Sequence, residues 1–150
     1  MSRQILLDTG PLVAFISPRD RFHEWAVAQW STSSLPLLTC EAVITEACFL
    51  LRNVYRGEEE VMNLLETQIL HIPFCLNEEV ATIRQLLFRY QSVPMSLADA
   101  CLVRMTELYP EILLLTLDSD FTIYRKNQNQ PIALTQPNPT DCNFRGDRAS

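Results

Sequence analysis

Short apolar segments alternate along the chain with longer segments of helical periodicity, and this alternation is the feature that most constrains the fold. The candidate strands are residues 5–8, 35–38, 69–74, 112–116 and 131–134. Between them, apolar residues recur at the spacing of one helical face, as in residues 80–90. Because strands separated by helices pair through crossover connections, the pattern predicts an α/β fold with a mostly parallel sheet.

Four acidic residues lie in apolar sequence contexts, where a carboxylate is energetically unfavourable: Asp8, Glu46, Asp99 and Asp118. Asp8 and Asp118 directly follow apolar runs, whereas Glu46 and Asp99 lie among apolar neighbours in helical segments. Burial of an ionised carboxylate is costly unless the group is paired or coordinates a metal. Several such positions in one small domain suggest that these carboxylates share a cation.

The same acids are expected to meet at one edge of the sheet. Ligands of open parallel sheets bind beyond the carboxyl ends of the strands, where the pattern places Asp8 and Asp118. Asp99 begins a helix that could start at that edge, and Glu46 is predicted to point inward from its own helix. Oxygen ligands without histidine or cysteine suit Mg²⁺ or Mn²⁺ better than Zn²⁺. Such a site is typical of phosphodiester hydrolysis.

The overall composition narrows the class of protein. A length of 150 residues predicts a single domain with a substantial core. A net charge of -6 argues against a broad basic nucleic-acid-binding face, although bound cations can bring phosphates to an acidic site. No apolar stretch has the length of a membrane span or signal peptide, so we expect a cytoplasmic protein with reduced cysteines and no membrane association. Residues 1–135 are assigned to the domain, and residues 136–150 are predicted to form a flexible tail.

Three of the acids also have a purely structural interpretation. Ser96 and Asp99 form an S-x-x-D pattern, which is typical of a capping box. Asp118 and Asp120 could form a turn after a strand. Asp8 could cap the short helix that follows it. For Asp99, the capping role and a ligand role can coexist.

Glu46 is the hardest of the four to explain structurally. An ion pair with Arg52 or Arg104 would account for its position among apolar neighbours. Since every acid has such an alternative, the evidence for a metal site is the order and context of the four acids together.

Four short motifs carry a resemblance to a known family. They cover residues 6–14 (LLDTGPLVA), 45–47 (TEA), 96–100 (SLADA) and 115–121 (LTLDSDF). In this order and spacing, the chain resembles a PIN-domain protein over roughly residues 4–135, and in particular the VapC-like ribonuclease toxins of type II toxin–antitoxin systems. The resemblance implies a three-layer α/β/α domain around a mostly parallel sheet of about five strands. It also implies a metal-dependent endoribonuclease that uses Mg²⁺ or Mn²⁺, acts on RNA, binds an antitoxin protein and forms a homodimer.

The resemblance also assigns roles to individual residues. The acids expected to coordinate metal and perform catalysis are Asp8, Glu46, Asp99 and Asp118. Asp120 is expected to contribute to the metal site by orienting a metal-bound water. The hydroxyl residues expected to support the acids are Thr9, Ser96 and Thr116.

Three other functions compete with this interpretation. A PIN-like module that binds RNA or protein with weak or lost catalysis is the main alternative, and its binding would survive neutralisation of Asp8. A ribonuclease H-like nuclease also uses an ordered set of acids, but the chain lacks an early three-strand meander. A phosphoacceptor receiver domain needs an acidic pair after the first strand and a late lysine in the sheet. Here Asp8 stands alone and Lys126 lies in a polar segment.

Overall fold

The computed structural model of the chain describes residues 3–138. Its main sheet contains five strands: β1 (Gln4–Leu7), β2 (Ser34–Leu38), β3 (Leu70–His71), β4 (Leu113–Leu115) and β7 (Leu134–Thr135). The flanking helices in this range are α1 (Thr9–Ile16), α2 (His23–Ser31), α3 (Glu41–Leu50), α4 (Gly57–Glu66), α5 (Leu76–Arg89) and α6 (Leu97–Leu108). A 3₁₀ helix (Ser119–Thr122) and an antiparallel pair, β5 (Arg125–Lys126) and β6 (Gln130–Pro131), complete the fold. The predicted α/β architecture with a five-stranded parallel sheet is confirmed.

The order of the strands determines where a ligand can bind. The strand order is β3-β2-β1-β4-β7. The chain first adds β2 and β3 on one side of β1, and then adds β4 and β7 on the other side of β1. β1 and β4 pair in parallel, with Leu7 opposite Leu115. Their carboxyl ends therefore lie side by side where the direction of winding reverses, which is the usual ligand-binding position of open α/β sheets.

The two central strands are apolar because helices cover the sheet. Leu6, Leu7, Leu114 and Leu115 are each at most 1% exposed. Such a continuous apolar run is typical of parallel strands that are buried on both faces. Burial of one leucine side chain contributes roughly 1.5–3 kcal/mol, so these runs hold β1 and β4 firmly at the centre of the domain.

The edge strands differ from the sequence predictions. The strand predicted over 69–74 is reduced to Leu70–His71, and the edge strand predicted over 131–134 is Leu134–Thr135 instead. Edge strands pair on one side only, so their length depends less on the apolar pattern than on the neighbouring strand.

Two further predictions concern the ends of the chain and membranes. The flexible tail predicted over residues 136–150 lies, apart from 136–138, outside the described residues. Within residues 3–138, the structure contains no helix with the length and apolar character of a membrane span.

Candidate functional site

A cavity of about 280 Å³ lies at the carboxyl ends of β1 and β4. We call it the acidic cavity. The acids that line it are Asp8, Glu46, Asp99 and Asp118, and the rest of its wall is formed by Thr9, Gly10, Leu50 and Leu117. An added Cβ at Gly10 would lie 3.0 Å from Leu117 Cδ1, so the glycine lets Leu117 pack directly on the first turn of α1. Four segments that are distant in sequence thus contribute a carboxylate to one cavity.

Asp8 is the most buried of these acids. It directly follows β1, and its backbone N–H donates to the carbonyl of Leu115 at 3.1 Å, which extends the pairing with β4. Its Oδ1 accepts the N–H of Thr9 at 2.7 Å, and its Oδ2 accepts the hydroxyl of Thr116 at 2.7 Å. The side chain is 6% exposed. Asp8 therefore caps α1, as one interpretation predicted, and also forms the floor of the cavity.

Burial raises the pKa of Asp8 from 3.8 to about 6. Loss of hydration is the largest cause, and the negative charges of Asp99 and Asp118 add to it. The hydrogen bonds from Thr116 and Thr9 oppose the rise, because they stabilise the ionised form. No lysine or arginine within residues 3–138 forms an ion pair with Asp8. Its negative charge consequently lacks a local compensating charge.

Thr116 connects the two acids that follow the central strands. Its side chain is fully buried, and its hydroxyl donates to Asp8 while accepting the backbone N–H of Asp118 at 2.9 Å. Asp118 in turn accepts the N–H of Asp120 at 2.9 Å, which caps the 3₁₀ helix and matches the predicted turn. Asp120 itself is not among the residues that line the cavity. Its contribution in this structure is the backbone N–H that orients Asp118.

Glu46 approaches the cavity from its rim. It faces the other acids, as predicted, because it lines the acidic cavity. The prediction of a buried helix face around it is wrong, because Glu46 is exposed. That prediction assumed that Val43 and Leu50 share a buried face of α3, but Leu50 is 54% exposed. The hydroxyl of Thr9 donates to Glu46 Oε2 at 3.2 Å, and this bond links α3 to the start of α1.

The predicted ion-pair alternatives for Glu46 are not formed in the described part of the chain. Arg104 pairs with Glu79 at 2.6 Å and with Glu107 at 3.0 Å. The guanidinium of Arg52 instead donates to the backbone carbonyl of Phe49 at 2.6 Å. Neither arginine neutralises Glu46, so its charge remains directed to the cavity and to solvent.

Asp99 is held by the capping box that the sequence predicted. Its N–H donates to Ser96 Oγ at 3.0 Å, and its Oδ2 accepts the Ser96 N–H at 3.2 Å. Oδ2 also accepts the hydroxyl of Tyr124 at 3.1 Å. Partial burial raises the pKa of Asp99, although the Ser96 N–H and the Tyr124 hydroxyl oppose the rise. The capping role and the position in the cavity wall coexist.

Tyr124 is the site residue that sequence reasoning missed. Its ring is fully buried and makes edge contacts with Tyr90 and Phe121, whose ring centroids lie 5.1 and 5.2 Å away. Burial and the nearby charge of Asp99 raise the pKa of its hydroxyl, so Tyr124 remains a hydrogen-bond donor. The available signal was general: a buried tyrosine needs a partner for its hydroxyl. Nothing in the local spacing identified that partner as Asp99.

The donor set of the cavity is chemically suited to a hard divalent cation. Carboxylates from four segments face one space, and the pKa of Asp8 is raised there mainly by burial and further by the negative charges of Asp99 and Asp118. Across residues 3–138, however, no three His, Cys, Asp or Glu side chains are placed to hold one metal ion together. The two findings are compatible with Mg²⁺, which is usually bound by one or two carboxylates and keeps several waters.

The family comparison agrees with this geometry. A family model described as PIN domain matches residues 5–127, which is most of the chain and includes all four acids. The comparison with curated proteins gave no match.

Proposed function

This chain belongs to the PIN-domain family, whose members are generally nucleases, and we propose that it is a metal-dependent endoribonuclease that hydrolyses RNA phosphodiester bonds. The observation that carries the proposal is the acidic cavity, which Asp8, Glu46, Asp99 and Asp118 line together. Carboxylates from this set, with waters completing the coordination, would hold Mg²⁺ or Mn²⁺. When bound, such a cation would offset the negative charge of the phosphate and lower the pKa of an attacking water.

The protein's own contribution is to hold the acids ready for the cation. Thr116 orients Asp8 and, through the backbone, Asp118, so this side of the cavity is organised before any ligand arrives. Tyr124 and Ser96 hold one oxygen of Asp99. Because the pKa of Asp8 is about 6, protons compete with a cation for this site in mildly acidic solution.

The choice of RNA, and a closer relation to the VapC-like toxins, rest on the order of the four sequence motifs. On this proposal, the protein is the toxin of a toxin–antitoxin pair, binds a cognate antitoxin protein and forms a homodimer in the cytoplasm. Light scattering would then give about twice the chain mass of 17.2 kDa. Affinity purification from the native host would recover a small, tightly bound protein.

The decisive experiment compares RNA cleavage by the wild type, Asp8→Asn and Glu111→Gln. The substrate is a mixed pool of tRNA and rRNA fragments, incubated with Mg²⁺, Mn²⁺ or EDTA. Glu111→Gln is the matched control, because Glu111 is an exposed acid just before β4, at the amino end of the strand and therefore at the opposite end from the acidic cavity. We expect metal-dependent cleavage that Asp8→Asn abolishes and Glu111→Gln retains. Metal binding without cleavage of any RNA would contradict the proposal.

A PIN-like binding module with weak or lost catalysis is the second candidate. The observation that favours it is the absence, within residues 3–138, of three acids placed to hold one ion. For this function, RNA or protein binding would be equally tight in the wild type and in Asp8→Asn, and neither would cleave RNA. The cleavage experiment above therefore separates the two candidates.

A further inference from the structure

A second cavity adjoins the acidic cavity on the outer face of α3. It has a volume of about 390 Å³ and is lined by Thr45, Glu46, Phe49 and Leu50. Glu46 and Leu50 line the acidic cavity as well, so the two spaces share a wall. Phe49 is 62% exposed, so much of its ring remains accessible to a ligand. An open aromatic surface thus lies beside Glu46, at one wall of the acidic cavity.

Arg52 extends this surface and gives it a positive charge. Its guanidinium carbon lies 4.0 Å from the centroid of the Phe49 ring, and its Nη1 donates to the Phe49 carbonyl at 2.6 Å. This carbonyl belongs to the last turn of α3, where the helix dipole favours a cation. The stacked pair of Phe49 and Arg52, which we call the platform, is therefore held in place by a hydrogen bond and a cation–π contact.

The charge of Arg52 is available to a ligand. Within residues 3–138 it forms no ion pair with a carboxylate, whereas Arg56 pairs with Glu59 and Arg104 pairs with Glu79. An arginine guanidinium has five N–H donors, so several remain after the bond to Phe49. Arg52 follows Glu46 by six residues, so this arrangement places an exposed cation just beyond the end of α3, in a chain whose net charge is -6.

We propose that the platform is the subsite for an unpaired nucleotide next to the scissile phosphate. A base stacks on the planar surface of the aromatic–guanidinium pair, and the remaining N–H groups of Arg52 bind a neighbouring phosphate. The proposal rests on the proposed function, because the acidic cavity defines where the scissile phosphate lies. The stacked base must be unpaired, since only an unstacked base has a free face.

The test is RNA affinity in a background that cannot cleave. A fluorescently labelled single-stranded RNA is titrated with Asp8→Asn protein in Mg²⁺, with and without Phe49→Ala or Arg52→Gln. We expect Phe49→Ala to raise Kd about 5- to 150-fold, which is the range for loss of one stacked base. Arg52→Gln should weaken binding. It should also lower the slope of log Kd against log salt concentration by the amount expected for about one phosphate contact.

The chain offers matched controls on a separate helix. Phe88 is a 73% exposed phenylalanine on α5, and Arg84 is an exposed arginine on the same helix. Phe88→Ala and Arg84→Gln should leave Kd unchanged. An RNA with one base removed should bind the Asp8→Asn protein with an intact platform more weakly than the complete RNA does. With that RNA, Phe49→Ala should cause no further rise in Kd, because both changes remove the same stacking contact.

The outcomes separate the platform from the catalytic proposal. If cleavage needs metal and Asp8 but the Kd of Phe49→Ala equals that of Phe88→Ala, the platform is overturned and the nuclease stands. If the wild type cleaves no RNA but its binding depends on Phe49, the platform is supported and catalysis is overturned. If Phe49→Ala dissociates a dimer while Kd for RNA is unchanged, the surface is a protein interface and the platform is overturned.

Discussion

The two sides of the acidic cavity are built in different ways. Asp8 and Asp118 follow neighbouring strands, and the buried hydroxyl of Thr116 joins them. Glu46 and Asp99 instead extend from helices and reach the cavity with their side chains. Asp8 makes the strand side the rigid side, because it is buried and both of its carboxylate oxygens accept hydrogen bonds, whereas Glu46 on the helix side is exposed. Asp118 and Asp99 are both half-buried. We infer that the strand side defines where a cation binds and the helix side adapts to it.

This difference has an energetic origin. Asp8 is 6% exposed and its pKa is about 6, so its negative charge is costly without a cation. Glu46 is exposed, and within residues 3–138 its side chain accepts one hydrogen bond, 3.2 Å long, from the hydroxyl of Thr9. Since water already solvates Glu46, a cation gains less from it than from Asp8. Four predictions test the contrast, from the largest expected effect to the smallest.

Neutralising one acid on each side should have unequal effects on cleavage. We expect Asp8→Asn to lower kcat/KM about a thousandfold, or about 4 kcal/mol of transition-state stabilisation. Glu46→Gln should lower kcat/KM about tenfold, because a water molecule from solvent can replace an exposed ligand. Initial rates over a range of Mg²⁺ concentrations measure both losses. Equal losses for the two variants would remove the proposed asymmetry.

The stability of the metal-free protein should fall as the pH rises through the pKa of Asp8. The pKa of this carboxyl is raised on folding, so its contribution to stability is fully present below about pH 4 and is lost as the pH passes 6. A difference of two pKa units corresponds to about 3 kcal/mol. Urea unfolding in EDTA at pH 4 to 8 measures the trend. Asp8→Asn should flatten it, and a wild type whose stability rises over this range would contradict it.

Removal of a threonine hydroxyl should matter more on the strand side. Thr116→Val leaves Asp8 Oδ2 and the N–H of Asp118 without their buried partner, so we expect a loss of about 2 kcal/mol in the free energy of unfolding. Thr9→Val removes only the bond to exposed Glu46 and should cost about 0.5 kcal/mol. Chemical unfolding of both variants at pH 7 provides the measurement. A larger loss in Thr9→Val would reverse the assignment of the rigid side.

The smallest effect is expected from the hydroxyl that holds Asp99. Tyr124→Phe keeps the buried ring and removes one hydrogen bond, so it should cost about 1 kcal/mol of stability and lower cleavage about fivefold. Tyr109→Phe is the control, because Tyr109 is a partly exposed tyrosine that does not line the cavity. Thermal unfolding and initial rates should separate the two variants. Identical behaviour of both would show that Tyr124 does not position Asp99.

The strand side was the more predictable part of the cavity. Asp8 directly follows its strand, and Asp118 lies three residues after β4, so parallel pairing brings both to the same edge. The capping box was also predictable, because Ser96 and Asp99 interact within one helical turn. In each case the deciding contacts lie within a few residues or follow from the pairing of apolar strands.

The helix side shows where the sequence patterns were insufficient. The periodicity of α3 placed Glu46 on one face with Leu50, but it did not show whether another element covers that face. Here Phe49 and Leu50 stay exposed, and Glu46 stays exposed with them. The bond from Tyr124 to Asp99 joins residues 25 positions apart, so no helical or strand spacing indicates it.

The sequence by itself determined the α/β class, the central strands and the positions of the four acids, three at the ends or starts of elements and Glu46 within α3. Apolar patterning and capping act over a few residues, so both can be read along the chain. Only the tertiary structure decided how deeply each carboxylate is buried, which hydroxyl holds it, and that Arg52 lies over Phe49 beside Glu46. Hydration and charge at a site depend on all the segments that pack around it, and those segments are distant in sequence.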